Sequence, residues 1–169
     1  MAGEEKRIYV VVANTVQHPL YDLRSGLKRG SLTRSIVQVP GRQIAQACHA
    51  VRRMGHSMTI RMVLGLFKHP PRTFKAAKEA IAAIAHLSYE PITTIILSCR
   101  DSFELEHCYN LLRDVAGVEA YKFHDTNPEV YGDGDVVTAF ATVPVTASSM
   151  VGIIDYLPLW SPEVLENKV

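Results

Sequence analysis

The hydrophobic pattern along the chain predicts four β-strands. Residues 8–13, Ile-Tyr-Val-Val-Val-Ala, form a continuous apolar and β-branched run, which is typical of a strand buried on both faces and central in its sheet. Residues 92–99 and 136–143 have a similar composition. Residues 118–123 alternate more clearly between apolar and polar side chains, so we expect that strand to be more exposed than the others.

Helical periodicity appears between and after these strands, at residues 41–54, 57–68, 73–87, 103–115 and 146–156. Pro70 and Pro71 must end the second of these helices, and Asp101 supplies an N-cap for the fourth. Thr73 is the expected N-cap of the third helix. Residues 126–135 are rich in Asn, Pro, Gly and Asp, which predicts a loop.

The helix at residues 41–54 has two chemically different sides. The apolar side is predicted to face the core and carries Ile44, Ala47, Cys48, Val51 and Met54. The other side is predicted to be exposed and carries Arg42, Gln46, His49 and Arg53. Pro40 and Gly41 turn the chain just before the helix, whose free N–H groups and positive dipole favour an anion. We therefore consider a phosphate-binding side, with an ordinary amphipathic surface helix as the alternative.

The order of these elements, β-α-α-α-β-α-β-β-α, predicts an α/β fold in which helices cover both faces of a small mixed sheet. A chain of 169 residues, of which 47% are hydrophobic, fits a single domain over residues 1–169. Residues 14–40 have weak periodicity and several basic side chains. We expect them to form a long basic loop, a substrate-facing flap that contributes affinity and can be deleted without loss of the fold. A disordered insertion with no role is the alternative.

Charge is divided unevenly along the chain. Residues 23–78 contain twelve Lys or Arg and no Asp or Glu, whereas residues 79–169 contain four Lys or Arg and fourteen Asp or Glu. A basic surface binds nucleic acid because it neutralises phosphates and releases their counterions. The candidate RNA-binding residues are Arg24, Lys28, Arg29 and Arg34 in the loop and Arg52 and Arg53 on the helix.

Several other function classes have no motif in the sequence. Three widely spaced cysteines, Cys48, Cys99 and Cys108, argue against a disulfide framework and a structural zinc site. Cys48 is expected in the core, with a thiol nucleophile beside His49 as the alternative. The motifs of serine hydrolases, P-loop and Rossmann proteins and zincins do not occur, so we expect no metal and no cofactor. The apolar runs are shorter than a membrane span, and residues 1–5 lack the positive charge of a signal peptide, so we expect a cytoplasmic protein.

The segment Gly41-Arg42-x-x-Ala45-Gln46-x-x-His49-Ala50 resembles a helix of the type 2 peptidyl-tRNA hydrolase family, which reads Gly-Lys-x-x-Ala-Gln-x-x-His-Ala. The following strands and helices occur in the family's order from about residue 7 to residue 160, apart from the insertion at 14–40. The wording Gln-Ala-Cys-His-Ala is especially close to a divergent eukaryotic branch, the peptidyl-tRNA hydrolase domain-containing proteins.

This resemblance implies a three-layer α/β/α fold with a four-stranded mixed sheet. It also implies hydrolysis of the ester bond between a peptide and the 3′ end of tRNA, with peptidyl-tRNA as the partner and no membrane. We also consider a homodimer. His49 or Asp125 would orient or deprotonate water, Gln46 would hydrogen-bond the substrate, and Arg42 would hold phosphate or the oxyanion. We expect these four residues to surround one cleft.

Two positions depart from the family pattern. Arg42 stands where the family has Lys, which keeps the charge but replaces a compact ammonium with a planar guanidinium. After Asp125 the family typically continues Ala-Gly-Arg-Thr-Gln, whereas residues 126–130 read Thr-Asn-Pro-Glu-Val, which places Glu129 at the Thr position. A non-catalytic module that kept the fold and binds RNA or protein is therefore the alternative function.

Overall fold

The computed structural model describes residues 4–21, 28–68, 73, 75–76, 78–79, 82, 92–131 and 136–162. In chain order the main elements are β1 (Lys6–Tyr21), β2 (Lys28–Val37), α1 (Pro40–Lys68), β3 (Thr94–Asp101), α2 (Ser102–Asp114), β4 (Ala120–Asp125), α3 (Pro128–Tyr131), β5 (Val136–Thr142) and β6 (Val145–Thr146). A short 3-10 helix, Ala147–Met150, follows β6. The chain thus has the predicted α/β composition.

The sheet is mixed and is built around β1. This strand runs parallel to β3 and antiparallel to β2, β5 and β6, and β4 pairs antiparallel with β5. The first half of β1 contacts β3 and β5, whereas its second half, from Thr15 onward, pairs with β2. The described residues form six strands, so the predicted number of four is too low, because β2 and β6 were missed.

The continuous apolar run in β1 is buried on both faces, as predicted. On one face Ile8, Val10 and Val12 lie in a cluster with the α1 residues Ala47, Ala50 and Met54. On the other face Tyr9, Val11 and Ala13 lie in a cluster with the α2 residues Leu105, Cys108 and Leu112. Each fully buried valine contributes about 1.5–3 kcal/mol to folding, which explains why every position of the run at residues 8–13 is apolar.

The loop predicted at residues 14–40 is wrong for the described part of that segment. Residues 14–21 continue β1, and residues 28–37 form β2, which pairs with β1 from Thr15 with Val37 to Tyr21 with Lys28. The register shifts between Pro19 and Tyr21, as expected where a proline interrupts the hydrogen-bonded ladder. The hairpin is stabilised by pairing between strands, which a periodicity argument within one segment does not detect.

The two helices predicted at residues 41–54 and 57–68 are one continuous helix, α1, of 29 residues. Gly55 does not end it, because an interior glycine costs a helix only about 1 kcal/mol. The helix predicted at 73–87 lies largely outside the described residues. Its predicted N-cap is present, since the Thr73 hydroxyl accepts a hydrogen bond from the Ala76 N–H at 3.2 Å.

Near the C-terminus the predicted helix at 146–156 is also wrong, because only the 3-10 helix Ala147–Met150 forms and turns follow it. By contrast, the capping prediction for α2 is confirmed. The Asp101 carboxylate accepts hydrogen bonds from the N–H groups of Phe103 and Glu104. In the part of the chain that the structure describes, no helix is long and apolar enough to cross a membrane.

Candidate functional site

The site begins at the N-terminus of α1. Pro40 occupies the first helical position, where its missing N–H and fixed φ angle are compatible with a helix. The Val39 carbonyl accepts hydrogen bonds from the N–H groups of Arg42 at 3.0 Å and Gln43 at 3.1 Å. A Cβ atom added to Gly41 would meet no atom within 4 Å, so the first turn is open to an approaching ligand.

The buried side of α1 differs from the predicted one. Its buried residues are Gln43, Gln46, Ala47, Ala50 and Met54. Ile44 is 45% exposed and Cys48 is also exposed, so their predicted place in the core is wrong. The apolar pattern was misleading because two glutamines lie inside, where hydrogen bonds to their amides offset the cost of burial.

Gln46 is at the centre of a buried hydrogen-bond network. The side chain is 1% exposed, so the prediction that it lies on an exposed side is wrong. Its amide nitrogen lies 3.1 Å from Gln38 Oε1, 3.2 Å from Asp125 Oδ2 and 3.3 Å from Tyr131 Oη. Its Oε1 atom has no hydrogen-bond partner among the described residues. Gln46 therefore contacts Asp125 from inside the protein.

Asp125 ends β4 and is held at both carboxylate oxygens. Oδ2 accepts the hydrogen bond from Gln46, and Oδ1 accepts one from the main-chain N–H of Asn127 at 3.1 Å. The residue is half-buried, so the carboxylate is fixed in orientation while part of it remains accessible to water. Fixed orientation and access to water are both needed by a general base.

Tyr131 completes the network and was not found from the sequence. It lies in α3, which forms within the predicted loop because the Asn127 carbonyl accepts hydrogen bonds from the N–H groups of Val130 and Tyr131. The hydroxyl donates to Gln38 Oε1 at 2.9 Å. Burial and the nearby Asp125 carboxylate raise the pKa of Tyr131, so the phenol stays protonated and remains a donor.

His49 lies one turn after Gln46 on α1 and is exposed. Its ring stacks on Phe123 with centroids 5.0 Å apart and an interplanar angle of 14°. Phe123 and Asp125 lie two residues apart on β4, with a register shift against β5 between Phe123 and His124. Among the described residues no hydrogen bond joins His49 to Asp125.

Arg42 lies at the entrance of the same region and is half-buried. Its positive charge opposes the effect of Asp125 on the pKa of Tyr131, which places the guanidinium near the network. Within the described residues Arg42 forms no ion pair. A guanidinium without a carboxylate partner is available to an anionic ligand.

A second buried glutamine, Gln43, supports the site from the core side. Its amide nitrogen donates to the Ala13 carbonyl at 3.1 Å and to Asn14 Oδ1 at 2.9 Å, and its Oε1 accepts from Trp160 Nε1 at 2.8 Å. These bonds join α1 to β1 and to the C-terminal segment. They fix the first turn of α1 relative to the sheet.

The predicted RNA-binding residues fall in different parts of the structure. Arg52 and Arg53 are exposed on α1. Lys28, Arg29 and Arg34 lie on β2, and the Arg34 backbone pairs with His18. Arg24 lies outside the described residues. In that described part of the chain, no group of three His, Cys, Asp or Glu side chains is arranged to hold a metal ion.

The chain was also compared with known proteins. It matches no model of a protein family, and no curated protein sequence matches it.

Proposed function

We propose that this chain hydrolyses the ester bond between a peptide and the 3′ end of tRNA, as the resemblance to type 2 peptidyl-tRNA hydrolases implies. One observation carries the proposal. The hydrogen bond between Gln46 and Asp125 joins the helix motif to the end of β4, although the two residues are 79 positions apart. His49 and Arg42 each lie within about one turn of Gln46 on the same helix, which supports a shared site.

The proposed fold within the α/β class is a three-layer α/β/α sandwich forming a single domain. Two apolar clusters on opposite faces of β1, one containing α1 residues and the other α2 residues, support this arrangement. The proposed partner is peptidyl-tRNA in the cytoplasm.

In the proposed mechanism Asp125 is the general base. Its carboxylate takes a proton from a water molecule, whose oxygen attacks the ester carbonyl and forms a tetrahedral oxyanion. Arg42 stabilises that negative charge. The C–O bond to the ribose then breaks, and the 3′ oxygen leaves as a hydroxyl after taking up the proton. The exposed His49 lies at the rim, where it can orient the substrate or the water.

The role of Gln46 differs from the predicted substrate contact. Because the side chain is buried and donates to Oδ2 of Asp125, Gln46 acts as a positioning residue that fixes the carboxylate. Gln38 and Tyr131 fix Gln46 in turn. Misplacement of a reacting group by about 1 Å can cost on the order of 100-fold in rate, so this second tier of contacts matters for turnover.

The test is release of free tRNA from purified peptidyl-tRNA by the wild type and by Asp125→Asn. Loss of a general base lowers turnover by roughly 10²- to 10⁴-fold, so we expect a decrease in that range. Asp155→Asn is the matched control, because Asp155 is exposed and also accepts one main-chain N–H bond, from Gly152 at 2.9 Å. Equal activity of wild type and Asp125→Asn would contradict the mechanism.

The second candidate function is a non-catalytic RNA- or protein-binding module. One observation favours it: no hydrogen bond joins His49 to Asp125 among the described residues, so the two groups do not form an acid–base pair there. No release of tRNA by the wild type at high protein concentration, with intact tRNA binding, would support the module.

A further inference from the structure

A cleft of about 590 Å³ lies along the β4 edge. Among the described strands β4 is at the end of the order β2-β1-β5-β4, so one of its sides has no neighbouring strand. Arg53 and Arg61 of α1 line the cleft above this edge, and Arg113 of α2 and Lys122 of β4 line it as well. The cleft thus lies where two helices meet an open strand.

The lining is predominantly basic. The described residues that line the cleft include four Lys or Arg side chains and one carboxylate, that of Glu119. Arg113 and Lys122 are two of the only four basic residues in the acidic half of the chain, residues 79–169. Folding therefore brings basic side chains from both halves together, which the linear charge pattern did not predict.

Three of these cations are held in place before any ligand binds. The Arg61 guanidinium carbon lies 5.9 Å from the centre of the Tyr121 ring, and Lys122 Nζ lies 4.2 Å from the centre of the Tyr109 ring. Arg113 lies 5.7 Å from the same Tyr109 ring. Ordering a long side chain on binding costs conformational entropy, and side chains already held on aromatic rings avoid part of that cost.

These cations keep donors that a phosphate can use. Arg113 binds Asp114 through Nε and one terminal nitrogen, at 2.7 Å and 3.0 Å, which leaves its other terminal nitrogen available. Arg61 pairs with Glu119 at 2.5 Å, and Lys122 pairs with Glu106. Arg53 is exposed and forms no ion pair within the described residues, so it is the cation most available to a ligand.

We propose that this cleft binds the ribose–phosphate backbone of an RNA strand and leads it along the β4 edge toward Asp125. The choice of RNA as the polyanion rests on the proposed function. His124 lines the cleft and directly precedes Asp125 on β4, so the cleft ends beside the hydrolytic site.

The probe is a fluorescent tRNA transcript with a free 3′ hydroxyl, and binding is measured by anisotropy from 50 to 200 mM KCl. Arg53→Glu is compared with Arg52→Glu, because the two arginines are adjacent and exposed on α1 and only Arg53 lines the cleft. We expect Arg53→Glu to weaken binding the more strongly and to lower the slope of log affinity against log salt by about 1. Equal effects of both variants would overturn the proposal.

A gain in affinity gives a second test that misfolding cannot imitate. Glu119→Gln removes the one carboxylate among the described cleft residues, so we expect about threefold tighter tRNA binding, as for one unit charge roughly 6 Å from a phosphate in water. Unchanged or weaker binding would overturn the proposal.

The two proposals can fail separately. If the wild type releases no tRNA from peptidyl-tRNA but the Arg53 and Glu119 variants change binding as expected, the hydrolase proposal fails and the cleft stands. If Asp125→Asn abolishes hydrolysis while Arg53→Glu and Arg52→Glu bind tRNA equally, the cleft fails and the hydrolase proposal stands.

Discussion

The two buried glutamines of α1 should respond in opposite ways to the same substitution. Gln43 and Gln46 lie about one helical turn apart, and each is 1% exposed. The amide nitrogen of Gln43 donates a hydrogen bond to the Ala13 carbonyl in the core, whereas the amide nitrogen of Gln46 donates one to the Asp125 carboxylate. We therefore expect Gln43→Leu to lower stability with little effect on turnover per folded molecule. We expect Gln46→Leu to lower turnover with little effect on stability.

The stability cost of Gln43→Leu follows from its contacts. The substitution breaks hydrogen bonds to the Ala13 carbonyl, to Asn14 Oδ1 and from Trp160 Nε1. At about 1 kcal/mol for each lost bond, the free energy of unfolding should fall by about 3 kcal/mol. For a domain of this size a loss of 1 kcal/mol lowers Tm by about 2–4 °C, so the expected decrease is roughly 6–12 °C.

Gln46→Leu has a compensating gain that Gln43→Leu lacks. It removes an amide nitrogen whose two hydrogens are shared among three acceptors, which costs about 2 kcal/mol. It also removes the buried Oε1 atom that has no partner among the described residues, which recovers about 1–3 kcal/mol. The net change should stay within about 1 kcal/mol. Asp125 meanwhile loses one of its two orienting bonds, so turnover should fall.

Thermal unfolding followed by circular dichroism measures the first effect, and tRNA release at 15 °C, where both variants are folded, measures the second. A decrease in Tm for Gln46→Leu as large as that for Gln43→Leu would refute the free energy assigned to removal of the unpaired Oε1 atom of Gln46. An unchanged kcat/KM for Gln46→Leu would refute the positioning role. The expected order of the two Tm values, with Gln43→Leu below Gln46→Leu, tests the hydrogen-bond network without reference to a substrate.

Three further predictions concern other parts of the site and fold. Gly41→Ala and the control Gly65→Ala both add a Cβ atom in open space, so each should raise the free energy of unfolding or leave it unchanged. Only Gly41→Ala should lower tRNA release, because the added methyl group crowds the open first turn of α1. Asp101→Ala should cost α2 about 1 kcal/mol at pH 7. Burial opposes ionisation of Asp101, but the Glu104 N–H and Arg100 lower the pKa of its carboxyl on balance. In urea unfolding, the loss of stability caused by Asp101→Ala should therefore shrink as the pH falls below about 4, through the folded-state pKa. Native protein should expose one thiol to Ellman's reagent and denatured protein three, because Cys48 is exposed and the other two cysteines are buried. Cys48→Ser should remove the native signal, and three reactive thiols in the native protein would contradict the burial.

The sequence predicted the parts of the fold that depend on local composition. The core strands were found because the run from Ile8 to Ala13 has no polar residue, and the α2 cap was found because Asp101 precedes a helical segment. The hairpin was missed because its stability comes from pairing between β1 and β2, which depends on residues up to about 22 positions apart, as for Thr15 with Val37.

The candidate site was predicted in part for a similar reason. The side chains of Gln46 and Asp125 are hydrogen-bonded to each other, but the side of α1 predicted to face the core was wrong. Hydrophobicity assigns a glutamine to the surface unless its hydrogen-bond partners are known, and the partners of Gln46 come from three separate places, the β2–α1 junction, β4 and α3. Tyr131 and Gln38 gave no recognisable signal, since each lies among turn or strand residues without a motif.

The base of the β1–β2 hairpin belongs to the core and to the site, so residues 14–40 cannot be removed as a flap. Val16 is fully buried in the apolar cluster that contains α2 residues. The Gln38 N–H donates a hydrogen bond to the Asn14 carbonyl at 2.8 Å. Gln38 Oε1 accepts the hydrogen bonds that fix Tyr131 and Gln46. Deletion of the whole segment should therefore unfold the protein, which reverses the expectation from the sequence.

Beyond the paired residues His18 and Arg34, replacement of residues 19–33 by Asn-Gly keeps the register with a two-residue turn. This variant should retain the wild-type circular dichroism spectrum, while its tRNA salt slope falls by up to roughly 3 if all three basic residues removed contact phosphates. Unfolding of the short-hairpin variant would show that the outer part of the hairpin is also needed for the fold.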